Sequence, residues 1–246
     1  WWVMDFEGAL AEGDIVDQVS ECAGLAQGAS APPAGGFVGV EGNNDALGAN
    51  AAMIFDATCG GGPANNCTGG DTDLFQPAQG NVLIITTDGD DTDPDDEADG
   101  DNSPEFEFDF STFDGGTVTV HEITILDTNG GALPVMELYA ADDFLLQTVN
   151  LPLTGDGGIG TVAGINQPGV QRMVVKLDGS GAIDDIEFVP EISVVGATLH
   201  NDVLTFLLPW AALAALLMLG AVSLVPRRGR PLQHLVPGSC RDDRRG

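Results

Sequence analysis

Residues 203–225 form a run of 23 positions without one charged side chain. At about 1.5 Å of rise per residue, a helix of this length extends roughly 34 Å, enough to cross a hydrocarbon core of about 30 Å. A buried helix in a soluble core is the alternative, but so long and uniform an apolar run favours a membrane span. Arg227, Arg228 and Arg230 follow the segment, and no lysine or arginine lies within the residues just before it. By the positive-inside rule, we expect the N-terminal part outside the cell and a basic cytoplasmic tail at 226–246.

The charge of the chain is divided in the same way. Residues 1–202 hold 36 acidic and 2 basic side chains, a net charge of −34, whereas residues 203–246 hold 2 and 6, a net charge of +4. Such an acidic domain excludes nucleic acid or an anionic lipid surface as a partner, and it requires cations that screen or bind the charge. Two interpretations stay open: bound calcium, or the acidic surface of a protein from a salt-loving organism.

Short alternating segments predict an all-β domain. The clearest is residues 105–110, where three phenylalanines alternate with three carboxylates, as a half-buried strand requires. With turn residues between such segments, the pattern predicts a jelly-roll β-sandwich ectodomain at 1–190, a linker at 191–202 and the single transmembrane helix at 203–225. The other predicted strands are 52–55, 82–86, 117–126, 135–139, 144–149, 171–177 and 183–188.

The turn at residues 177–182 predicts that the last two strands form a hairpin. On that prediction, Arg172 and Lys176, the two basic residues of the domain, would pair with carboxylates on the returning strand, such as Asp185 or Glu187.

The chain contains an ordered series of short motifs: Asp5-Phe6-Glu7-Gly8, Ile54-Phe55-Asp56, Gly69-Gly70-Asp71-Thr72-Asp73-Leu74, Gly80-Asn81-Val82-Leu83-Ile84-Ile85, Pro94-Asp95-Asp96-Glu97-Ala98 and Ser180-Gly181-Ala182-Ile183-Asp184-Asp185-Ile186. This series resembles exported bacterial surface proteins with a C-terminal sorting or anchor segment, of which the PEP-CTERM proteins are the best known. The resemblance implies a jelly-roll ectodomain similar to carbohydrate-binding modules, displayed at the cell surface or in the extracellular matrix. The chain departs from that group at its anchor, because no Pro-Glu-Pro motif directly precedes the span, so we expect a permanent membrane anchor. The N-terminus lacks the basic and apolar regions of a signal peptide, so we expect it to be cut or incomplete.

Calcium is the expected cofactor, in a structural role. Asp71 and Asp73 are two residues apart on a glycine-rich loop, and two carboxylates so placed can chelate one hard cation. Glu7, Asp184 and Asp185 are further ligands implied by the resemblance, since jelly-roll modules often join their first and last strands through calcium. The acidic tract at 88–101 is interpreted as a solvated loop, because its similarity to an EF-hand loop fails at the twelfth position.

Two cysteines bracket a loop rich in glycine and asparagine. Cys59 and Cys67 are close enough in the chain to close that loop as a disulfide, as expected of an extracellular domain.

The sequence favours a non-catalytic binding, adhesion or matrix protein, with an extracellular polysaccharide or matrix as the partner. No nucleophile, zinc-binding or phosphate-binding motif is present. The alternative is a glycoside hydrolase that uses paired carboxylates, which are too numerous here for any pair to be singled out. By strand alternation, Tyr139 lies on the face opposite Met136 and Leu138, so it is the aromatic residue expected at a ligand surface.

Overall fold

The computed structural model describes residues 1–20, 23–27, 36–44, 51–96, 104–113, 115–129 and 131–191. These lie in one compact unit, Trp1–Ser193. The predicted linker from residue 192 onward, the predicted span and the cytoplasmic tail lie outside the described residues. Within the described part of the chain, no helix has the length and apolar character needed to cross a membrane.

The described residues form two antiparallel sheets, and the fold is an all-β sandwich. The first sheet consists of β1 (Trp2–Gly8), β3 (Ala23–Gln27), β5 (Ala52–Asp56), β6 (Asn81–Ile85), β8 (Val118–Leu126), β11 (Ile159–Val170) and β13 (Ala182–Pro190). Its order is β11-β8-β13-β1-β3, and β6 joins it by pairing with β13 on one side and with β5 on the other.

The second sheet consists of β2 (Gln18–Val19), β4 (Val38–Asn43), β7 (Glu105–Asp109), β9 (Val135–Tyr139), β10 (Leu145–Asn150) and β12 (Arg172–Lys176). Its order is β10-β9-β12-β7-β4-β2. All eight segments predicted from alternation are strands, with bounds that differ by at most two residues.

The main core lies between the sheets. Phe106 and Phe108 from the second sheet are wholly buried, while the acidic residues that alternate with them face outward, as predicted. From the first sheet, Phe188 packs against Phe110 and Phe113, with ring centroids 5.1 and 5.4 Å apart. Burying several large aromatic side chains in one cluster provides much of the hydrophobic stabilisation of the sandwich.

A second, smaller core covers the opposite face of the first sheet. Along β5 and β6, Ile54 and Leu83 face the main core, whereas Phe55 and Val82 belong to the smaller one. Since successive strand residues point to opposite faces, both faces of these strands are buried. The cover on the outer side is the segment between β5 and β6, which contains Cys59, Cys67 and Leu74. This cover explains why residues 82–85 read as a continuous apolar run.

The predicted hairpin between the last two strands is wrong. β12 pairs with β7 and β9 in the second sheet, whereas β13 pairs with β1, β6 and β8 in the first. The turn at 177–182 therefore carries the chain from one sheet to the other. Arg172 and Lys176 consequently cannot use the predicted partners on β13.

Candidate cation site

The segment that covers the first sheet is shaped by a disulfide and by short turns. The structure joins Cys59 and Cys67 by a disulfide, with their Cα atoms 4.3 Å apart. Three single-turn 3-10 helices, Cys59–Gly61, Ala64–Asn66 and Thr68–Gly70, lie in or just after the loop that it closes. Past the last turn, the Gln76 backbone N–H donates to the carbonyl of Ala57, which returns the segment to the end of β5. The disulfide loop therefore leads directly into Asp71 and Asp73.

Asp71 meets two aspartates of the acidic tract that follows β6. Carboxylate oxygens of Asp71, Asp95 and Asp96 lie within 4.8 Å of one another. Asp96 is only 4% exposed, and its Oδ2 accepts a hydrogen bond of 2.6 Å from the backbone N–H of Gly181, just before β13. The first aspartate group therefore joins the covering segment, the loop after β6 and the start of β13.

Gly69 allows the close approach of these two loops. Its φ of +67° is in the left-handed region, and a Cβ added there would lie 2.5 Å from the carbonyl oxygen of Pro94. Its N–H donates a 2.7 Å hydrogen bond to Asp93. Only glycine fits both the conformation and the space, so this residue fixes Asp71 beside Asp95 and Asp96.

A second aspartate group lies next to the first. Oxygens of Asp73, Asp127 and Asp156 also lie within 4.8 Å of one another. Asp127, directly after β8, is wholly buried, and its carboxylate accepts hydrogen bonds from the Gly157 N–H at 2.8 Å and from the Ser180 hydroxyl at 3.1 Å. The side chains of Asp71 and Asp73 contact each other, so the two groups are continuous. We call these six residues the aspartate cluster.

Burial and mutual repulsion perturb the carboxyl groups of the aspartate cluster. The Oδ2 atom of Asp71 is buried and receives no hydrogen bond from the described residues. Burial, and then the carboxyl groups of Asp73 and Asp96, raise the pKa of Asp71 to about 11. The hydrogen bond with Asp71 is the main cause that lowers the pKa of Asp73, so the two residues share one proton, which stays on Asp71. Burial raises the pKa of Asp96 to about 6. A proton, or a cation in its place, is therefore needed to hold the cluster together.

The remaining predicted ligands lie at another place. Asp184, on β13, is 1% exposed; Gln79 donates to its Oδ2 at 3.0 Å and to Asp185 at 3.3 Å. Glu7 accepts a 2.7 Å hydrogen bond from the backbone N–H of Asn81, which lies two residues after Gln79. Oδ1 of Asp184 is buried without a partner, and burial followed by the charge of Asp185 raises its pKa to about 9. The five predicted ligands thus fall into two sets: Asp71 and Asp73 in the aspartate cluster, and the other three around residues 79–81.

The outward face of the second sheet holds Tyr139 and the two basic residues of the domain. The guanidinium carbon of Arg172 lies 4.1 Å from the centroid of the Tyr139 ring, and its nitrogens contact Glu107 at 3.1 Å and Asp143 at 3.0 Å. Glu137 accepts hydrogen bonds of 2.7 Å from both the Tyr139 hydroxyl and the Lys176 ammonium. These are the ion pairs that replace the predicted ones with Asp185 and Glu187. They also place both basic side chains on the second sheet, away from the aspartate cluster on the first.

Four members of the aspartate cluster were not identified as candidate ligands from the sequence. Asp95 and Asp96 belong to the tract that we interpreted as a solvated loop, yet Asp96 is buried. Asp127 follows β8 directly, and Asp156 lies between two glycines in the loop before β11. The glycines that flank Asp156 were an available signal, but each of the four is distant in the sequence from Asp71 and Asp73.

No family model matches this chain, and no curated protein matches it at a significant level. Among solved structures, it is similar to the CBM22-1 and GH10 modules of the Clostridium thermocellum endo-1,4-beta-D-xylanase 10B, crystallised with xylohexaose. That alignment has 10% sequence identity and a TM-score of 0.24, and it covers 48% of this chain and 23% of the xylanase chain. The chain therefore spans less than a quarter of that protein, and at this TM-score the likeness carries no argument about function.

Proposed function

We propose that this chain is a calcium-stabilised, non-catalytic binding or adhesion module with a jelly-roll ectodomain, displayed at the cell surface. The observation that carries the proposal is the aspartate cluster, where six carboxylates from four loops form two neighbouring groups, and the Oδ2 of Asp71 in the first group is buried without a partner. Carboxylates in contact repel one another, and the two basic side chains of residues 1–202 are engaged on the second sheet. A bound cation supplies the missing positive charge.

Calcium fits the cluster better than other biological cations. It takes six to eight oxygen ligands at about 2.3 to 2.6 Å in flexible geometry, whereas magnesium requires a smaller, near-octahedral shell and keeps several waters. Transition metals favour nitrogen and sulfur ligands, and both candidate sets consist of oxygen donors. By resemblance to jelly-roll modules, Glu7, Asp184 and Asp185 form a further structural calcium site, and the unpartnered Oδ1 of Asp184 supports that assignment.

Display at the cell surface is supported by the uncharged segment 203–225 and the arginines that follow it. In this arrangement the acidic sandwich faces an environment where free calcium is about 1 mM or higher. The binding surface is the outward face of the second sheet around Tyr139, with an extracellular polysaccharide or matrix component as the ligand. The aspartate cluster has a structural role in this proposal, because an ion bound between its carboxylates holds their loops together. Adhesion is the role of the surface around Tyr139.

The test is a thermal melt of residues 1–193 in calcium, in magnesium and in sodium chloride of matched ionic strength. A site of micromolar affinity at about 1 mM calcium adds about 4 kcal/mol to the free energy of unfolding. We expect Asp71→Ala with Asp73→Ala to abolish most of the calcium-specific shift. The matched control is Asp88→Ala with Asp90→Ala, which removes the same charge from two exposed residues with the same spacing.

Equal shifts in sodium chloride and calcium would refute the proposal, because the acidic residues would then serve only as a solvated surface. A calcium shift that survives the loss of Asp71 and Asp73 would move the stabilising site to Glu7, Asp184 and Asp185. Binding to polysaccharide is measured separately, by affinity electrophoresis of the wild type and Tyr139→Ala.

A further inference from the structure

We propose that the aspartate cluster binds two divalent cations, one held by Asp71, Asp95 and Asp96 and the other by Asp73, Asp127 and Asp156. This inference rests on the proposed calcium role and makes it specific. It assigns four ligands, Asp95, Asp96, Asp127 and Asp156, that the sequence did not indicate. It also assigns the contact between Asp71 and Asp73 as the junction between two neighbouring ions.

The spacing of the oxygens supports one ion in each group. Within each group, three carboxylate oxygens lie within 4.8 Å of one another. Two ligands on opposite sides of a calcium ion are separated by about twice the calcium–oxygen distance of about 2.4 Å, so all three oxygens of a group can contact one ion. Three carboxylates supply about half of a calcium coordination shell, and water and main-chain carbonyl oxygens are its usual complement.

Charge is the second argument for two ions. The six aspartates carry six negative charges when ionised, and one divalent cation would leave four of them uncompensated in a partly buried cluster. Two cations reduce the excess to two, which the hydrogen bonds from Gly157, Ser180 and Gly181 help to stabilise.

Burial supplies an independent indication of a ligand. Oδ2 of Asp71 has no exposed surface and no hydrogen-bond partner, although a carboxylate oxygen normally accepts hydrogen bonds when it is buried. The side chain of Asp71 contacts the carboxyl group of Asp96, which is itself only 4% exposed. Two acceptors that face each other in a buried position require a positively charged group or a proton between them.

The main chain fixes the ligands before any ion binds. Backbone N–H groups of Gly181 and Gly157 orient Asp96 and Asp127, and Gly69 holds the covering segment against the loop after β6. Ligands that are already oriented lose little conformational freedom when an ion binds, which favours affinity. The two ions would thereby join the covering segment to the loops that follow β6, β8 and β10.

The experiment counts calcium ions per chain in the full chain, purified in a mild detergent, stripped with chelator and dialysed against calcium. We expect Asp95→Asn and Asp156→Asn each to bind one ion fewer than the wild type, and the double variant to bind two fewer. Asp156 is exposed, so its amide variant keeps the fold. Asp88→Asn with Asp90→Asn is the charge-matched control and should lose no ion.

Each outcome decides the question. The inference is overturned if the double variant loses only one ion, or if each single variant loses as many ions as the double variant. Either result would show that the cluster is one site, and the calcium role would survive. A wild-type count below two overturns it without reference to any variant. A wild type that binds no calcium refutes the calcium role as well. Native mass spectrometry of the folded chain gives these counts directly.

Discussion

Calcium-free ectodomain should lose stability as the pH rises from 5 to 7. Burial raises the pKa of Asp184 to about 9 and that of Asp71 to about 11, against about 3.8 for an unfolded aspartate. The folded state therefore keeps two protons that the unfolded state releases. This contribution is fully present below about pH 3.8 and is lost progressively as the pH rises towards the folded values.

The magnitude follows from the number of retained protons. Each retained proton decreases the free energy of unfolding by about 1.36 kcal/mol per pH unit, so two protons over two pH units give about 5 kcal/mol, and Asp96, whose pKa burial raises to about 6, adds to this loss in the lower half of the window. Solvent relaxation around the carboxylates reduces this, and we expect a loss of about 2 to 5 kcal/mol. Carboxylates with lowered pKa values, such as Glu137, stabilise the fold in the opposite direction, but their effect is complete by pH 5. The window from 5 to 7 therefore isolates the raised groups.

The assay is urea unfolding of residues 1–193 in chelator at several pH values, followed by the fluorescence of the buried Trp2. Asp184→Asn removes one retained proton, so it should decrease the slope of the free energy of unfolding against pH by about 1.36 kcal/mol per pH unit. Asp88→Asn, at an exposed position, should not change this slope. Saturating calcium should remove most of the slope, because the ion replaces the protons. A stability in chelator that is constant or rises between pH 5 and 7 would refute the reasoning.

Three further predictions use other parts of the molecule. Mass spectrometry of the unreduced ectodomain should recover Cys59 linked to Cys67, and replacing both by alanine should cost about 2.5 kcal/mol from the lost loop constraint; two alkylatable thiols would contradict this. Phe188→Ala should destabilise the fold by about 3 to 5 kcal/mol in denaturant, whereas Phe144→Ala, at a position 66% exposed, should cost less than about 1 kcal/mol, and equal effects would argue against the core. Protease treatment of intact cells should release the acidic domain if residues 203–225 span the membrane, and cleavage only after lysis would exclude that topology.

The alternation of apolar and polar residues was sufficient to predict most of the strands. It succeeded in β7 and β9, where large apolar side chains alternate with polar ones on a half-exposed sheet. It did not predict β4 or β11, where glycines, and in β11 a proline, occupy strand positions and weaken the pattern. Glycine and proline lower the strand propensity of a segment, and only the pairing with neighbouring strands compensates for this.

Strand pairing was decided by the tertiary structure. The turn at 177–182 has the composition of a hairpin turn, yet β12 and β13 lie in different sheets. A short turn constrains only the direction of the chain, whereas the sheet that each strand joins depends on which partners best cover its apolar face. Met173 and Val175 enter the main core from the second sheet, whereas Ile183 and Ile186 enter it from the first.

The sequence alone established an acidic all-β domain and identified Asp71 and Asp73 as metal-ligand candidates, because alternation, charge and short spacing are local properties of a chain. Only the tertiary structure showed that Asp96 and Asp127 are their neighbours. It also separated Asp184 from that cluster, although the residue lies three positions after Gly181, which contacts Asp96. The physical reason is that ligands converge through loops at the ends of strands, and strand order, which is set by non-local packing, determines which loops meet.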